Sequence, residues 1–422
     1  MWLRFVAMVM REDVPRDLAV LVVGRAGSLV DTGDVWQPWR LHDPAGAPVV
    51  AVDAFLRDLS AAGRSAATQR SYGLALLRWF RFLWSIEVVW SQATQVEARD
   101  FSLWIRLADK PEHRPGGVAR EPRPNSVTGK IGPGRKYAAA TRAHSETVLR
   151  SFYEFHRDAG TGPLVNPFPL SRKGNREGRP HAHHNPMEPH RGERSGQYRP
   201  RLVSRTPRSI PDARFDELFA RLGSHRDRAL VAFWVSTGAR ASELLGARQG
   251  DPDPGRQVIT LIRKGSRALQ QVTASPDAFV WLRLYQYQLH GLVPVGADEP
   301  LWWTLRHPLR PLSYHAAHRM FTRVTALLGA NWTLHDLRHT AAYRMARDPA
   351  MPITDVQWVL GHASLTTTQI YTNPAPDDVI AAVLAHHGRR AGDRDRRLAA
   401  EDSLPQRYRP ESLDVLFGRG DR

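Results

Sequence analysis

A stretch of 38 residues near the middle of the chain constrains the fold most. Residues 171–208 are rich in Pro, Gly and His and have neither helical nor strand periodicity, which is typical of a linker. They carry a net charge of +7, out of +17 for the whole chain. The sequence therefore predicts two globular units joined by a basic linker that is suited to lie along a polyanion.

Composition and periodicity predict five parts of the chain. Apolar residues such as Leu76, Trp79 and Leu83 recur at helical spacing before the linker, and we interpret the aromatic stripes there as core rather than as platforms for stacked bases. The predicted parts are an N-terminal extension (1–45), a four-helix unit (46–170) with a loop or insertion at 111–136, the linker (171–208), a second unit (209–387) and a C-terminal tail (388–422).

The second unit is predicted to be mainly helical with one β-hairpin, so the fold class is mainly α with a small sheet (α+β). Residues 257–262 and 269–273 are β-prone, and Lys264-Gly265 lies in the turn between them. Ser313 is predicted to cap a helix that runs to about Leu328. Residues 333–336 resemble a capping box for the next helix.

Composition also excludes several classes of protein. The chain has no cysteine, which excludes disulfides, thiolate catalysis and cysteine zinc sites. No apolar run approaches the roughly 18–20 residues of a membrane span, and we expect a cytoplasmic protein. The linker holds one histidine cluster, but flexible His-rich tracts bind metals adventitiously, so we expect no metal and no other cofactor. These histidines are His181, His183, His184 and His190.

Six side chains of the second unit form the candidate site. Each has an ordinary interpretation alone: Arg240 can pair with Glu243, and a tyrosine can simply be part of a core. Together, with few carboxylates beside them, they suit a phosphodiester, because guanidiniums clamp its oxygens, a phenol can attack phosphorus and histidines can relay a proton. The six residues are Arg240, Lys264, His335, Arg338, His362 and Tyr371.

Lys264 favours proton transfer over simple charge binding. The chain has 5 lysines against 54 arginines, and Lys264 is the only lysine after position 175. Arginine would serve equally well to bind a phosphate, but a guanidinium does not release its proton near neutral pH. A lysine in this position is therefore predicted to be the general acid.

These residues resemble the tyrosine recombinases, also called phage integrases. The resemblance covers residues 230–373, and the helical unit at 46–170 resembles the family's core-binding domain by size and position. The matching segments are Thr237-Gly238-Ala239-Arg240, Ser242-Glu243-Leu244, Lys264-Gly265, His335-Asp336-Leu337-Arg338-His339-Thr340, Leu360-Gly361-His362 and Thr368-Gln369-Ile370-Tyr371-Thr372.

The resemblance implies a mechanism and partners. Tyr371 would attack one DNA strand, leaving a 3′-phosphotyrosine and a free 5′-hydroxyl, without ATP or metal. Arg240 and Arg338 would hold the phosphate, and Lys264 would be the general acid. His335 would assist proton transfer and His362 would donate to the phosphate, whereas Glu243 and Asp336 would be supports or caps. The implied partners are double-stranded DNA and further copies of the chain in a tetramer on synapsed sites, with no membrane and with a nucleoid-associated location.

Three other functions stay open at this point. A type IB topoisomerase uses the same residue set on a single site. A non-enzymatic DNA-binding regulator can keep the same fold. A metal-dependent nuclease using the linker histidines would be sensitive to chelators.

Helix geometry limits how the nucleophile can reach a phosphate. Nine helical residues separate His362 from Tyr371, which amounts to half a turn net and a rise of about 13.5 Å. The two side chains therefore cannot face one phosphate from a single straight helix, and we predict that the tyrosine segment bends or is delivered separately. Ser364 is predicted to cap the helix that follows the break. A later helix, residues 377–387, is predicted to pack either at home or on a neighbouring protomer.

Overall fold

The chain forms two compact units. A computed structural model describes residues 16–110, 123–132, 134–171, 195–202, 208–372, 376–402 and 410–417. The first unit consists of Met1–Arg123 and Ile131–Ser204, and the second consists of Pro124–Lys130 and Arg205–Arg422. The five parts proposed from composition, with their boundaries, stay predictions.

The described part of the first unit contains four α-helices, as predicted from the apolar spacing. They are α1 (Val50–Ala61), α2 (Ala66–Ser85), α3 (Gln95–Leu107) and α4 (Ala139–Asp158). Local capping fixes where two of them begin. Ser65 Oγ accepts the N–H of Thr68 at 3.3 Å before α2, and Thr94 and Glu97 form a capping box before α3.

Aromatic side chains fill the core of the first unit. Trp79, Phe82, Phe152 and Tyr153 are fully buried. Trp79 Nε1 donates to the hydroxyl of Tyr153 at 2.9 Å, so that the polar atoms of both rings are satisfied. The interpretation of the aromatic stripes as core is confirmed.

A β-hairpin that was not predicted packs against these helices. Strands β1 (Ser28–Asp31) and β2 (Trp39–His42) pair antiparallel, with Leu29 opposite Leu41. Leu41 is fully buried, and a Cβ on Gly73 of α2 would lie 2.7 Å from Leu29 Cδ1. The glycine therefore permits the close approach of the hairpin to the helix. Each strand has only four residues, too few for a clear alternating pattern in the sequence.

The second unit is mainly helical. Its described helices are α5 (Asp212–Ala220), α6 (His225–Thr237), α7 (Ala241–Leu245), α8 (Pro276–Gln288), α9 (Tyr314–Leu327), α10 (Leu334–Arg347), α11 (Ile353–Leu360), α12 (Leu365–Gln369), α13 (Pro376–Asp402) and α14 (Pro410–Leu416). Helix α6 buries every residue from Ala229 to Trp234 because it lies in the centre, where it packs against α8 and α10.

The predicted helix starts can be compared with the structure. Ser313 Oγ accepts the N–H of Ala316 at 3.2 Å, so its prediction as the N-cap of α9 is confirmed. The capping box of α10 is confirmed as well, since Asp336 accepts the backbone N–H of Thr333 at 2.6 Å. Ser364 lies at the N-cap position of α12 as predicted, but its side chain does not cap the helix, because its hydroxyl bonds to Thr366 Oγ1 at 2.7 Å instead of to a helix N–H.

The predicted hairpin is part of a three-stranded antiparallel sheet. Strands β3 (Pro252–Asp253), β4 (Val258–Ile262) and β5 (Leu269–Thr273) lie in the order β3-β4-β5. The predicted pair is β4 with β5. Ile259 and Leu261 point to one face and are buried, so this face packs on the helical core while the turn after β4 stays exposed.

Two of the sequence predictions concern metals and membranes. The four linker histidines, His181 to His190, lie outside the described residues. Over the described ranges, no group of three or more potential metal ligands comes together. None of the helices in the same ranges has the length and apolarity needed to cross a membrane.

Candidate active site

One buried carboxylate organises the first half of the site. Helix α6 ends at Gly238, whose φ of 61° is left-handed, and a Cβ there would lie 2.7 Å from Leu360 Cδ2. The chain then turns so that Arg240 is the N-cap of the short α7. Glu243 accepts the backbone N–H of Arg240 at 3.0 Å and its Nη1 at 2.8 Å. The pairing of Arg240 with Glu243, an open alternative in the sequence, is therefore present.

The same carboxylate also holds the turn of the β4–β5 hairpin. Arg263 Nη1 donates to Glu243 Oε2 at 3.0 Å, and the backbone N–H of Lys264 donates to Oε1 at 2.9 Å. Burial alone would raise the pKa of Glu243, but the N–H donors of Lys264 and Arg240 and the nearby guanidiniums lower it overall. Glu243 is thus an ionised brace between the Arg240 loop and the hairpin.

Arg263 is a buried arginine that the sequence analysis did not select. Its Nε donates to Gln270 Oε1 at 2.7 Å, and its Nη2 donates to the carbonyl of Val359. These bonds, with the ion pair to Glu243, connect the hairpin to the end of α11. By contrast, the Lys264 side chain is exposed at the turn, and only its backbone takes part in this network.

Arg338 lies at the centre of the second half of the site. Its Nη1 donates to the carbonyl of Gly238 at 2.6 Å, and its Nη2 donates to the carbonyl of Leu360 at 2.8 Å. Burial, followed by repulsion from Arg240, lowers the pKa of Arg338 to about 10, so the guanidinium stays charged at neutral pH. Arg338 therefore joins the end of α6 to the end of α11 as a cation.

His335 lies one turn before Arg338 on α10 and is exposed. Partial desolvation and then the charge of Arg338 lower its pKa, which favours the neutral imidazole. The ring contacts that of His339, with 4.4 Å between the ring centroids. His335 is therefore at the solvent side of a histidine pair.

His362 lies in a break between two helices, as the helix geometry required. Gly361 ends α11 with a left-handed φ of 62°, and α12 begins only at Leu365. His362 Nδ1 shares a hydrogen bond with Thr368 Oγ1 at 2.8 Å. Burial, and then the charges of Arg338, Arg240 and Arg263, lower the pKa of His362 to about 4.

Tyr371 follows the end of α12 in a turn and is 4% exposed. Its ring stacks parallel to that of His362, with 6.4 Å between centroids. Burial raises the pKa of Tyr371, while the charges of Arg338 and Arg240 act in the opposite direction. The prediction that His362 and Tyr371 do not share one straight helix is confirmed. His362 lies before the five-residue α12, and Tyr371 lies after it.

His339 is a residue of the candidate site that the sequence analysis noted but did not assign to a role. Its Nδ1 lies 2.7 Å from the Tyr371 hydroxyl, and the two atoms share a hydrogen bond. The available signal was its position next to Arg338 and one turn after His335 on the same helix. That spacing alone does not reveal a contact with a tyrosine 32 residues further along the chain.

Comparison with known proteins relates this site to a family. Residues 215–377 match the model of the phage integrase family, and all six predicted site residues lie within this range. Residues 215–377 therefore form a domain of the phage integrase family, the tyrosine recombinases. In this integrase domain the six residues come from α6–α7, the hairpin, α10 and the α11–α12 region.

Curated relatives of the integrase domain are tyrosine recombinases. The chain is 28% identical over 196 residues to tyrosine recombinase XerD of Neisseria meningitidis, which covers 45% of this chain and 66% of that protein. It is 30% identical over 175 residues to XerD of Bifidobacterium longum, which covers 39% of this chain and 54% of that protein. The chain thus spans between about half and two thirds of the length of these relatives.

A solved structure extends the likeness of fold beyond the integrase domain. The XerH site-specific recombinase in a post-cleavage complex with a palindromic difH substrate has a TM-score of 0.52 and 17% sequence identity. The match covers 79% of this chain and 84% of that one. At this identity the likeness concerns the fold, which agrees with the predicted combination of a four-helix unit and a catalytic unit.

Proposed function

We propose that the chain is a site-specific DNA recombinase that cuts and rejoins DNA strands through a 3′-phosphotyrosine, without metal or ATP. The observation that carries this proposal is the position of the Tyr371 hydroxyl, 2.7 Å from His339 Nδ1, on a ring that stacks on His362 within reach of the charges of Arg338 and Arg240. A phenol beside two guanidiniums suits attack on a phosphodiester. The curated relatives, which are recombinases, support the same reaction.

The cleavage step needs one bond made and one broken. The Tyr371 oxygen forms a bond to phosphorus while the bond from phosphorus to the 5′ oxygen breaks, and the departing oxygen takes a proton from Lys264 Nζ. The exposed side chain at the hairpin turn leaves Lys264 available to DNA. Attack by the 5′-hydroxyl of a partner strand reverses the step, so the bond energy is kept in the phosphotyrosine.

The two arginines hold the phosphate during this step. Arg338 uses two of its N–H groups on backbone carbonyls, and a guanidinium has five. Arg240 is braced by Glu243 on one side and has 30% of its side chain exposed. Both cations are therefore fixed before DNA arrives, which lowers the reorganisation needed to stabilise charge on the phosphate oxygens. His362 is proposed to donate a hydrogen bond to the same phosphate.

A nicked suicide substrate tests the proposal. Wild type is expected to form a covalent protein–DNA adduct that resists denaturant, and Tyr371→Phe is expected to form none. The adduct should form in the presence of a chelator, because no metal is required. An adduct that persists in Tyr371→Phe would refute the assignment of the nucleophile.

The role of Lys264 has its own test. Lys264→Arg keeps the charge and is expected to keep DNA affinity, but to slow cleavage of a normal 5′-oxygen leaving group by roughly 10²–10⁴-fold. A 5′-thio leaving group needs no proton, so it should restore the rate. Failure of the thio substrate to restore cleavage would argue against the general-acid role.

An assay of strand exchange between two labelled duplexes distinguishes a recombinase from the alternative functions. A recombinase joins strands from both duplexes, whereas a type IB topoisomerase-like enzyme reseals each duplex on its own. A non-enzymatic regulator forms no covalent adduct. We propose double-stranded DNA and further copies of the chain as partners, and the joined product is the outcome expected.

A further inference from the structure

We infer that His339 is a further catalytic residue, the base that takes the proton from the Tyr371 hydroxyl during cleavage. This inference rests on the proposed function, because it assigns a step of the same reaction. The family resemblance implied only that His335 would assist proton transfer, and no histidine was assigned to the proton of Tyr371.

The geometry distinguishes the three histidines of the site. His339 Nδ1 is 2.7 Å from the Tyr371 hydroxyl, which is within the range for direct proton transfer. His362 stacks parallel to the tyrosine ring, and its Nδ1 is bonded to Thr368. His335 is exposed and contacts the ring of His339. His339 is therefore the histidine placed at the reacting oxygen.

The surroundings keep His339 in the form that can accept a proton. Burial and then the neighbouring His335 lower its pKa to about 4, so the ring is neutral at neutral pH. A neutral ring with its proton on Nε2 accepts at Nδ1. Charged and titratable groups from three parts of the second unit face this ring. They are His335, Asp336 and Arg338 of α10, Lys130 of the 124–130 segment, and Tyr371 after α12.

The protons and electrons of the step balance with His339 in this role. The Tyr371 O–H bond breaks, its proton goes to Nδ1, and the freed electron pair forms the bond from oxygen to phosphorus. The leaving 5′ oxygen takes a separate proton from Lys264. During rejoining, His339 returns its proton to the tyrosine oxygen. Burial disfavours the charged imidazolium, so the return is downhill.

Chemical rescue by free imidazole tests this role. His339→Ala removes the ring and leaves room for a small base beside Tyr371. With a nicked 5′-thio substrate, which makes the leaving group independent of Lys264, we expect cleavage to slow by about 10²–10³-fold. Added imidazole should restore part of the rate, and more so as pH rises through the region near 6.5 where such a ring loses its proton.

Two further variants separate catalysis from positioning. His339→Asn keeps a polar group near the place of Nδ1 but cannot act as a base, so it should be as slow as His339→Ala while keeping wild-type melting temperature and DNA affinity. His335→Ala is the matched control on the same helix, and imidazole should give it no rescue. The Asn variant also provides the test if His339→Ala does not fold.

Each contrary result overturns the inference. Wild-type cleavage by His339→Asn would make the residue a positioning residue only, and rescue of His335→Ala alone would return the role to His335. Both results would leave the proposed function intact, because wild type would still form the adduct. Absence of any adduct from wild type would overturn the proposed function together with this inference.

Discussion

Glu243 accepts four of the hydrogen bonds that hold the candidate site together. It is buried and receives N–H groups from Arg240, Arg263 and Lys264. We predict that Glu243→Ala lowers the free energy of unfolding by about 3–5 kcal/mol, because it leaves the buried Arg263 without its counter-charge. Thermal or urea unfolding followed by circular dichroism measures this.

The pH dependence of the same brace gives a control. The pKa of Glu243 is lowered in the folded chain, so its stabilising contribution is present above about 4.5 and is lost as pH falls below that value. Glu243→Gln removes this titration. A Glu243→Ala variant as stable as wild type would contradict the assignment of Glu243 as a brace.

The buried histidines predict a second effect of pH on stability. It comes from rings that gain a positive charge on protonation, whereas Glu243 loses a negative charge. The pKa of His339 and that of His362 are each lowered to about 4 from an ordinary 6.5. Between these values the unfolded chain binds protons that the folded chain does not, so stability falls as pH drops from 6.5 towards 4, by about 1–3 kcal/mol per ring. Melting temperatures measured between pH 7.5 and 4.5 should fall less steeply for His339→Asn, and parallel curves would contradict this.

At the scale of single residues, the candidate site could be predicted from residue types and their spacing. The six candidate residues could be proposed because each has a chemical property that phosphoryl transfer needs, and their roles stay predictions. The bond from His339 to Tyr371 could not, because it depends on how α12 folds back towards α10. The side-chain cap predicted at Ser364 is absent for a local reason, because its hydroxyl bonds to Thr366 Oγ1 instead of to a helix N–H.

At the scale of elements, a short segment from an unexpected part of the sequence joins the second unit. Residues 124–130 lie between α3 and α4 in the chain but belong to the compact unit of the integrase domain. Asn125 Nδ2 donates to the carbonyl of Gly329 at 2.8 Å, and Lys130 Nζ forms an ion pair with Asp336. The ion pair reaches the capping carboxylate of α10, the helix that carries Arg338 and His339.

We predict that Lys130→Met weakens this cap and slows covalent adduct formation by about 3–10-fold, with a loss of stability of about 1 kcal/mol. Lys136→Met is the control, because Lys136 belongs to the first unit and is 58% exposed, so it should change stability by less than about 0.5 kcal/mol. Single-turnover cleavage and melting temperatures measure both. Equal effects of the two substitutions would contradict a specific role for Lys130.

Elements were predictable where the apolar pattern is long. The helices of the first unit follow from periodicity over many residues, as at Leu76 and Trp79 in α2, whereas the β4–β5 pair follows from two β-prone runs on either side of a turn. Strands β1 and β2 were missed because four residues give too little pattern, and β3 has only two. The placement of 124–130 was missed because its bonds join residues some 200 positions apart.

At the scale of the whole molecule, the apolar face of α13 points to assembly. The helix continues to Asp402, past the expected end at 387. Four of its apolar side chains lie on one face and are 42–65% exposed, so the described part of the chain leaves this face largely uncovered. They are Val379, Ile380, Val383 and Leu384. We propose that this face packs on a neighbouring protomer on DNA.

We predict that deleting residues 376–422 reduces synapsis of two DNA sites by at least about tenfold, while binding to a single site changes little. Loss of buried apolar area between protomers is the physical reason. Gel-shift assays with one and with two labelled sites separate the two steps. Undiminished synapsis by the shortened chain would refute the proposal.

The hydrogen bonds that Glu243 accepts from two segments affect how the site tolerates substitutions. The Arg240 loop and the β4–β5 turn both donate hydrogen bonds to the carboxylate of Glu243. A shift of one of them therefore displaces the group that holds the other. Substitutions of Arg240 and Arg263, whose side chains share this carboxylate, should therefore be non-additive in a double-mutant cycle, with a coupling energy of about 0.5–3 kcal/mol. The arginine proposed to hold the phosphate and the turn that carries Lys264, the proposed proton donor, are therefore constrained together by one carboxylate.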